Sequence, residues 1–381
     1  MRIDRRQFMG GLSSLFLLGS PLFNARAAKL AKKNLVIINL RGGLDGLAAV
    51  PYIGDQTLEK ARPTINVNSQ IKLSSDFALH PELKTFHSLW EENKATIIHA
   101  TSIPYTGRSH FEGQDIMQTG GLKAYNHNTG WLGRGMDAAG LGGLAVSLPM
   151  PLLLRGEGSP DNFFPTDIGL PGRDKMADLR KSYSGQPLLE ATMDRIISRP
   201  ISMMNSYHGT DIADLAATAA EQLASANGPR VAVFDINGFD THAGQGNEDG
   251  ELAYLLYELS NVVKELRQSL GGEFDNTLIM TLTEFGRMIE QNSGNGTEHG
   301  YGTAILAAGG LLKKSQIFTD WPGIKKKDLF EGRDLNVTID ARSVYCSAMA
   351  MCFDADFELL RREAFFGADL QDMTGILFSS A

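Results

Sequence analysis

Cysteine is nearly absent: the 381-residue chain holds only Cys346 and Cys352. They lie six apart in "SVYCSAMAMCF", which reads as a helix, so they point to different faces and a bridge between them fits poorly. Stability must then come from a buried core. With no haem-attachment or iron–sulfur spacing, a redox protein has no cofactor handle either. Positive charge is also lacking. The formal net charge is −8, which gives no electrostatic footing for nucleic acid. There is no internal repeat and no low-complexity tract, which excludes a solenoid and a disordered chain. The N-terminal apolar stretch is broken by Gly10, Gly11, Ser13, Ser14, Gly19 and Pro21, and falls short of the roughly 20 apolar residues that span a bilayer.

What that N-terminus does contain is a paired Arg5-Arg6, a phenylalanine two residues on, and Ala25-Arg26-Ala27. This is the pattern of a twin-arginine export signal over residues 1–27. Its partner is the twin-arginine translocase, and the mature protein is expected in the periplasm or secreted, with no stable membrane span after cleavage. Removing four arginines and one aspartate with residues 1–27 takes the net charge from −8 to −11. Residues 28–381 read as one domain, with an insertion or cap at about 149–200, where Gly, Pro and polar residues are frequent and periodicity is weak.

Short apolar runs punctuate the rest. "NLVIINL" (34–40), "ATIIHA" (95–100), "RVAVFDI" (230–236), "TLIMTL" (277–282) and "TAILAAGG" (303–310) predict strands buried on both faces, as in a parallel sheet. "GELAYLLYELSNVVKELRQSL" repeats Leu252, Leu255, Leu256, Leu259, Val262, Val263 and Leu266 at helical spacing. Strand, helix and strand in succession predict an α/β fold with helices on both faces of a mainly parallel sheet.

Ligands of open α/β sheets bind beyond the carboxyl ends of the strands, and that is where this sequence concentrates polar residues. Arg41 and Asp45 follow the first run; Arg108, Ser109 and His110 follow the second. Asp240 and His242 follow the third, Glu284 and Arg287 the fourth, and Glu298 and His299 precede the fifth. His80, His87, His127 and His208 lie away from these clusters, and His99 ends a strand without an obvious partner. Imidazole and carboxylate from several strand ends suit zinc, manganese or iron. In "NGFDTHAGQ", Asp240 and His242 are two apart in an extended segment and so point the same way, able to reach one ion together. The alternative is that Asp240 caps the next helix, although Glu248 and Asp249 stand nearer its start.

Together "RGGLDGLAAVPY", "RSHFEGQDIMQTGG", "GFDTHAGQ" and "TEFGRMIEQNSGNGTEHGYG", with the export signal, resemble the DUF1501 family of exported bacterial proteins, a distant branch of the alkaline phosphatase superfamily that includes sulfatases and cofactor-independent phosphoglycerate mutases. The resemblance implies a three-layer α/β/α sandwich with metal ions at the carboxyl edge of the sheet. "FDTHAG" is similar to the mutase Asp-x-His-x-Gly segment, so Asp240, His242 and His299 are the implied metal ligands, with zinc or manganese the implied divalent ion. Ser109 takes the nucleophile's place. Glu284 stands where the family has aspartate, Phe285 where it has histidine, and Arg41 where it has a metal-binding aspartate. The second ion's ligands are therefore mostly gone, and Arg41 supplies a fixed charge suited to phosphate or sulfate oxygens.

The expected activity is metal-dependent hydrolysis of phosphate or sulfate esters. Ser109, Arg41, His110 and Glu284 are the catalytic candidates, and Arg41, Arg108 and Asp45 the substrate-binding ones; His110 has a rival reading as a further ligand. The substrate expected is a small anionic ester or one derived from a polysaccharide. The alternative is a catalytically degenerate periplasmic binding or scaffold protein of the same fold.

Overall fold

All five apolar runs form strands. The computed structural model describes residues 33–147, 150–158, 160–162, 172–197 and 211–379. The export-signal reading of residues 1–27, His208 and parts of the 149–200 segment lie outside them. In chain order the strands are β1 (Asn34–Arg41), β2 (Ile71–Lys72), β3 (Ala78–Leu79), β4 (Ala95–Ser102), β5 (Gly143–Ala145), β6 (Asp161–Asn162) and β7 (Val231–Asn237). There follow β8 (Thr277–Leu282), β9 (Gly286–Gln291), β10 (Thr297–Gly300), β11 (Thr303–Ala308), β12 (Gln316–Phe318) and β13 (Ile339–Asp340). The main helices are α1 (Lys84–Glu91), α2 (His110–Thr119), α3 (Trp131–Ala139), α4 (Ile212–Ala224), α5 (Glu251–Leu270), α6 (Ala341–Phe353) and α7 (Phe357–Ala364).

Nine strands make one sheet in the order β12-β4-β11-β8-β1-β7-β5-β6, with β13 also beside β4. The neighbours of β1, β7 and β8, pair with it in parallel. β11 runs antiparallel to both β4 and β8, so the sheet is mixed, with its parallel part at the centre. Because β11 is reversed, its start, and not its end, lies at the carboxyl edge of the other strands.

Successive side chains of a strand go to opposite faces, and β1 divides accordingly. Leu35 and Ile37 join one core layer, with α3, α6 and α7. Val36, Ile38 and Leu40 join the other, with α1, α4 and α5. A sheet covered on both sides is the three-layer α/β/α arrangement. The seven predicted apolar positions of α5 are all buried, while Tyr254 and Tyr257 between them face solvent. Each buried aliphatic side chain contributes roughly 1.5–3 kcal/mol. In the other layer Cys346 and Cys352 are both buried and unbridged on α6. Among the described residues no helix is long and apolar enough to cross a membrane.

Loops at the carboxyl edge are tied to one another from below. Asp45 begins the short helix Gly46–Ala49 and accepts from Ala48 N. Its other oxygen accepts from Arg62 Nη1 and Gln245 Nε2, both at 2.8 Å. Gln245 Oε1 in turn accepts from the hydroxyls of Thr241 and Thr297. Asp45 and Arg62 are each 1 % exposed, so removing one strands the other's charge away from water. Arg62→Leu should lower the unfolding free energy by about 3–5 kcal/mol, read from urea denaturation; a loss under about 1 kcal/mol would mean that this pair does not anchor the edge.

Candidate metal centre

Four loops deliver the polar residues, and three histidines meet over one carboxylate. Asp240, just past β7, places Oδ1 3.0 Å from His299 Nε2 and 3.1 Å from His242 Nε2. The two imidazole nitrogens are 2.9 Å from each other. Asp240 Oδ2 lies 3.2 Å from His110 Nε2 at the head of α2. That approach lacks hydrogen-bond alignment, and His110 Nε2 is a buried nitrogen with no partner. One ligand atom from each of His110, Asp240 and His299 lies within 4.8 Å of the others.

The outer nitrogen of every ring is occupied by oxygen. His110 Nδ1 faces Glu284 Oε1 at 2.9 Å, His242 Nδ1 faces Glu298 Oε2 at 3.1 Å, and His299 Nδ1 faces the Arg108 carbonyl at 2.8 Å. Carbonyls and carboxylates only accept, so in the neutral rings the proton sits on Nδ1 and each Nε2 is left with a lone pair. Three lone pairs and a carboxylate therefore point into one small space. Two imidazole lone pairs 2.9 Å apart repel unless a proton or a cation stands between them. Oxygen partners on the outer nitrogen are also the arrangement that orients metal-binding histidines. Ligand atoms around a tetrahedral zinc with bonds of 2.0–2.1 Å stand roughly 3.3 Å apart, close to the spacings here.

The carboxylate is held by an arginine. Arg287, on β9 and 1 % exposed, donates from Nη2 to Asp240 Oδ1 at 2.7 Å, to Phe239 O at 2.8 Å and to Gly42 O at 2.5 Å. Nε reaches Gly43 O at 3.0 Å and Nη1 reaches Thr297 O at 2.9 Å. Asp240 does not cap α5, which begins at Glu251. Gly42 has φ +121, and a Cβ there would come within 2.4 Å of Asp240 N, so only glycine lets the β1 loop lie against the Asp240 backbone.

Charges follow the geometry. Burial pushes the Asp240 carboxyl up, but the Arg287 guanidinium donating to it and the imidazole of His299 beside it outweigh that and hold the group at about 2. Glu284 lies at the floor, fully buried. There burial is overcome by bonds from His110, Gln114 and Gly42 N, and the net shift is downward. The bond to Glu284 raises His110, against burial, whereas burial dominates at His299 and lowers it.

The remaining candidates sit around this cluster. Ser109 is the residue before α2, its N–H donating to Tyr105 Oη at 3.0 Å; among the described residues no hydrogen bond joins its side chain to the cluster. Arg41 reaches Gln114 Oε1 at 2.7 Å and pairs with Asp235 at 3.2 Å. Gln114 continues to Glu284 Oε1 at 3.1 Å. Arg108 is turned outward onto Asp334 and Glu331, so its carbonyl faces the site and its guanidinium is engaged elsewhere. Asp45 is confined to the buried pair with Arg62. Phe285 is buried with its ring centroid 5.0 Å from that of His110 and 4.7 Å from that of His299, so hydrocarbon stands beside the cluster. His80 and His99 bond to backbone carbonyls elsewhere.

Residues 198–356 match the family model described as "Protein of unknown function (DUF1501)". The family is the one that the motifs resemble. The matched stretch carries Asp240, His242, Glu284, Arg287 and His299; Arg41, Ser109 and His110 lie before it. No curated protein matches the sequence. Among solved structures, Ps i-CgsB in complex with a neocarrahexaose aligns with 91 % of this chain and 76 % of its own, at 12 % identity and TM-score 0.46. PsFucS1 sulfatase from Pseudoalteromonas sp. aligns over 99 % and 77 %, at 12 % and 0.42. An inactive murine ectonucleotide pyrophosphatase/phosphodiesterase 5 with AMP aligns over 91 % and 100 %, at 9 % and 0.37. At such identities and scores these structures say nothing of this chain's chemistry, which rests on the side chains above.

Sequence reading did not assign roles to Arg287, Gln114 or Glu298, although all three stand inside the quoted motifs. Arg287→Met leaves four backbone carbonyls and the Asp240 carboxylate without their donor. Unpaired buried acceptors cost about 1–3 kcal/mol each, so the variant should lose at least about 3 kcal/mol in urea unfolding. A loss below about 1 kcal/mol would show that the guanidinium does not hold the loops together.

Proposed function

We propose that the chain is an exported metal-dependent hydrolase of phosphate or sulfate esters, with one divalent ion and an arginine-assisted anion site. The observation that carries it is the convergence of three imidazole Nε2 atoms on Asp240, each ring having its outer nitrogen engaged by oxygen. The unpartnered His110 Nε2 fits a ligand role. His242, His299, Asp240 and His110 would hold the ion, and three ligands from this set of four leave a coordination place for a substrate oxygen. Nitrogen with one carboxylate oxygen suits zinc or manganese. Such an ion, when bound, supplies Lewis-acid polarisation of the ester and a lowered water pKa.

The chain's own residues do the rest. Ser109 stands at the start of a ten-residue helix, whose free N–H groups and positive end favour an anion beside its hydroxyl. It is the nucleophile of the proposal. Arg41 faces the equatorial oxygens, where charge develops in the transition state, after exchanging its contact with Gln114 for the substrate. Glu284, facing His110 Nδ1 from the floor of the site, fixes the ring so that its Nε2 is turned to the ion's place. Asp45 and Arg108, already paired within the protein, have no part in the reaction. A small anionic ester, free or on a polysaccharide fragment, is the substrate class. Two observations favour a second reading, a binding protein that has lost the chemistry: the buried Phe285 ring takes the place of a ligand in the resemblance, and Arg41 is paired with Asp235.

Purified chain stripped with chelator and reloaded should bind about one zinc or manganese per molecule by elemental analysis. His299→Ala should abolish loading, and Glu298→Gln, which loses the carboxylate facing His242 Nδ1, should weaken it by about 10–100-fold. Full loading of the His299 variant would remove the centre from the proposal. Turnover of aryl phosphates or aryl sulfates should require that ion and fall by at least about a thousandfold in Ser109→Ala. Arg41→Ala should weaken inhibition by inorganic phosphate or sulfate. Metal binding without turnover across the ester panel would select the binding protein instead.

A further inference from the structure

Arg108 carries a long side chain on a backbone conformation that suits glycine. Its φ is +58°, in the left-handed region that few non-glycine residues occupy. Such a conformation lasts only where the surroundings hold it. The grip comes from one turn, distant in the chain. Phe330 and Asp334 bond to each other through both backbone groups, with Glu331 and Gly332 between them also at positive φ. From this turn Asp334 Oδ2 accepts from Arg108 Nη2 at 2.8 Å and from Nε at 3.3 Å, and Glu331 adds a more exposed contact. Asp334 is fully buried and its Oδ1 makes no hydrogen bond. A carboxylate so placed is costly, and among the described residues its side chain accepts hydrogen bonds from Arg108 alone.

The same turn reaches His299 by a second route. Arg333 Nη2 donates to the His299 carbonyl at 2.6 Å. One short segment therefore holds His299 twice: its main chain through Arg333, and its ring through Asp334 and Arg108, whose carbonyl is 2.8 Å from Nδ1.

What that carbonyl decides is where the ring keeps its proton. A neutral imidazole has one N–H, and His299 has an acceptor at each end: the Arg108 carbonyl at Nδ1, and Asp240 Oδ1 3.0 Å from Nε2. A carboxylate is the stronger acceptor of the two. If the carbonyl swings off, the proton goes to Nε2 and the lone pair that a cation needs is lost. Rotation of Arg108 to a negative φ moves its carbonyl, because the atoms beyond its Cα turn together. We propose that Asp334 and Arg108 are positioning residues for the metal centre, holding this carbonyl on His299 Nδ1 so that the Nε2 lone pair stays turned to the ion's place. This rests on the metal centre proposed above.

The ring can be read directly by NMR of the metal-free full chain, isotope-labelled at the histidine nitrogens, at about pH 8, where imidazole is neutral. The His299 signals are those missing from His299→Ala. Wild type should carry the proton on Nδ1. In Asp334→Asn, which keeps the shape and removes the charge, and in Arg108→Ala, it should move to Nε2. Zinc affinity, measured by competition with a chelator, should fall in both by about 10–100-fold. Arg108→Gly is the decisive partner of the alanine variant, and carries the test if Asp334→Asn does not fold. Glycine takes a positive φ without steric cost, so this variant should regain the Nδ1 proton at least in part and bind zinc more tightly than Arg108→Ala, although both lack the guanidinium. A clamp that served stability alone would change the melting temperature and leave the proton where it was. A wild-type proton on Nε2, an Nδ1 proton and unchanged zinc affinity in Asp334→Asn and Arg108→Ala, or a glycine variant no better than the alanine one would overturn the proposal. A wild-type chain that binds no zinc, while its His299 proton still answers to Asp334, would sink the metal centre and support the positioning.

Discussion

One guanidinium ties together four segments at the carboxyl edge of the sheet: the loop after β1, the segment after β7, β10 and its own β9. Arg287 hands its donors to the loop after β1, to the segment after β7 and to β10, and only one of its contacts is with another charge. A lysine has a single point of attachment and no fork, so it would reach one of these segments and release the others. Orientation of the Asp240 carboxylate follows from this packing. The histidines then have a fixed oxygen to face, and their outer nitrogens are set by Glu284, Glu298 and the Arg108 carbonyl. The orientation of the centre's side chains is thus a product of the loops' interior.

Reversal of β11 is the second constraint. In a wholly parallel sheet, residues before a strand lie at the amino edge, far from those after its neighbours. Here the chain leaves β8 at the carboxyl edge, makes the β9–β10 ribbon there, and enters β11 from the same side. His299 reaches the cluster for that reason. Without the reversal it would stand about a strand's length, roughly 17–20 Å, away.

Much of this was legible in the sequence. Each apolar run became a strand with its ends within two residues of the expected ones, and the stripe on α5 is buried throughout. Asp240 and His242 could be placed at the carboxyl edge because they follow a strand, whereas His299 joined them only through the family resemblance, since it precedes its strand. The direction of β11 could not be read, since a strand buried on both faces has the same pattern whichever way it runs. Nor could the part played by Arg287, whose partners are mostly backbone carbonyls and leave no mark in side-chain identity. His110 could be named but not oriented: its ring is turned by Glu284, 174 positions away. The outward turn of Arg108 depends in the same way on Asp334, which no nearby motif announces.

Within the β9–β10 ribbon, His299 sits directly across from Arg287. The two share a rung, one holding the carboxylate and the other offering a nitrogen to whatever the carboxylate meets. Slippage of the pairing by one residue would send each to the opposite side of the ribbon, and the connecting turn is pinned as well, with Gly294 O and Asn295 O accepting from Gly244 N and Gln245 N and Asn292 Nδ2 donating to His242 O. An insertion at the tip of this arm would therefore reach His242, two elements away in the chain.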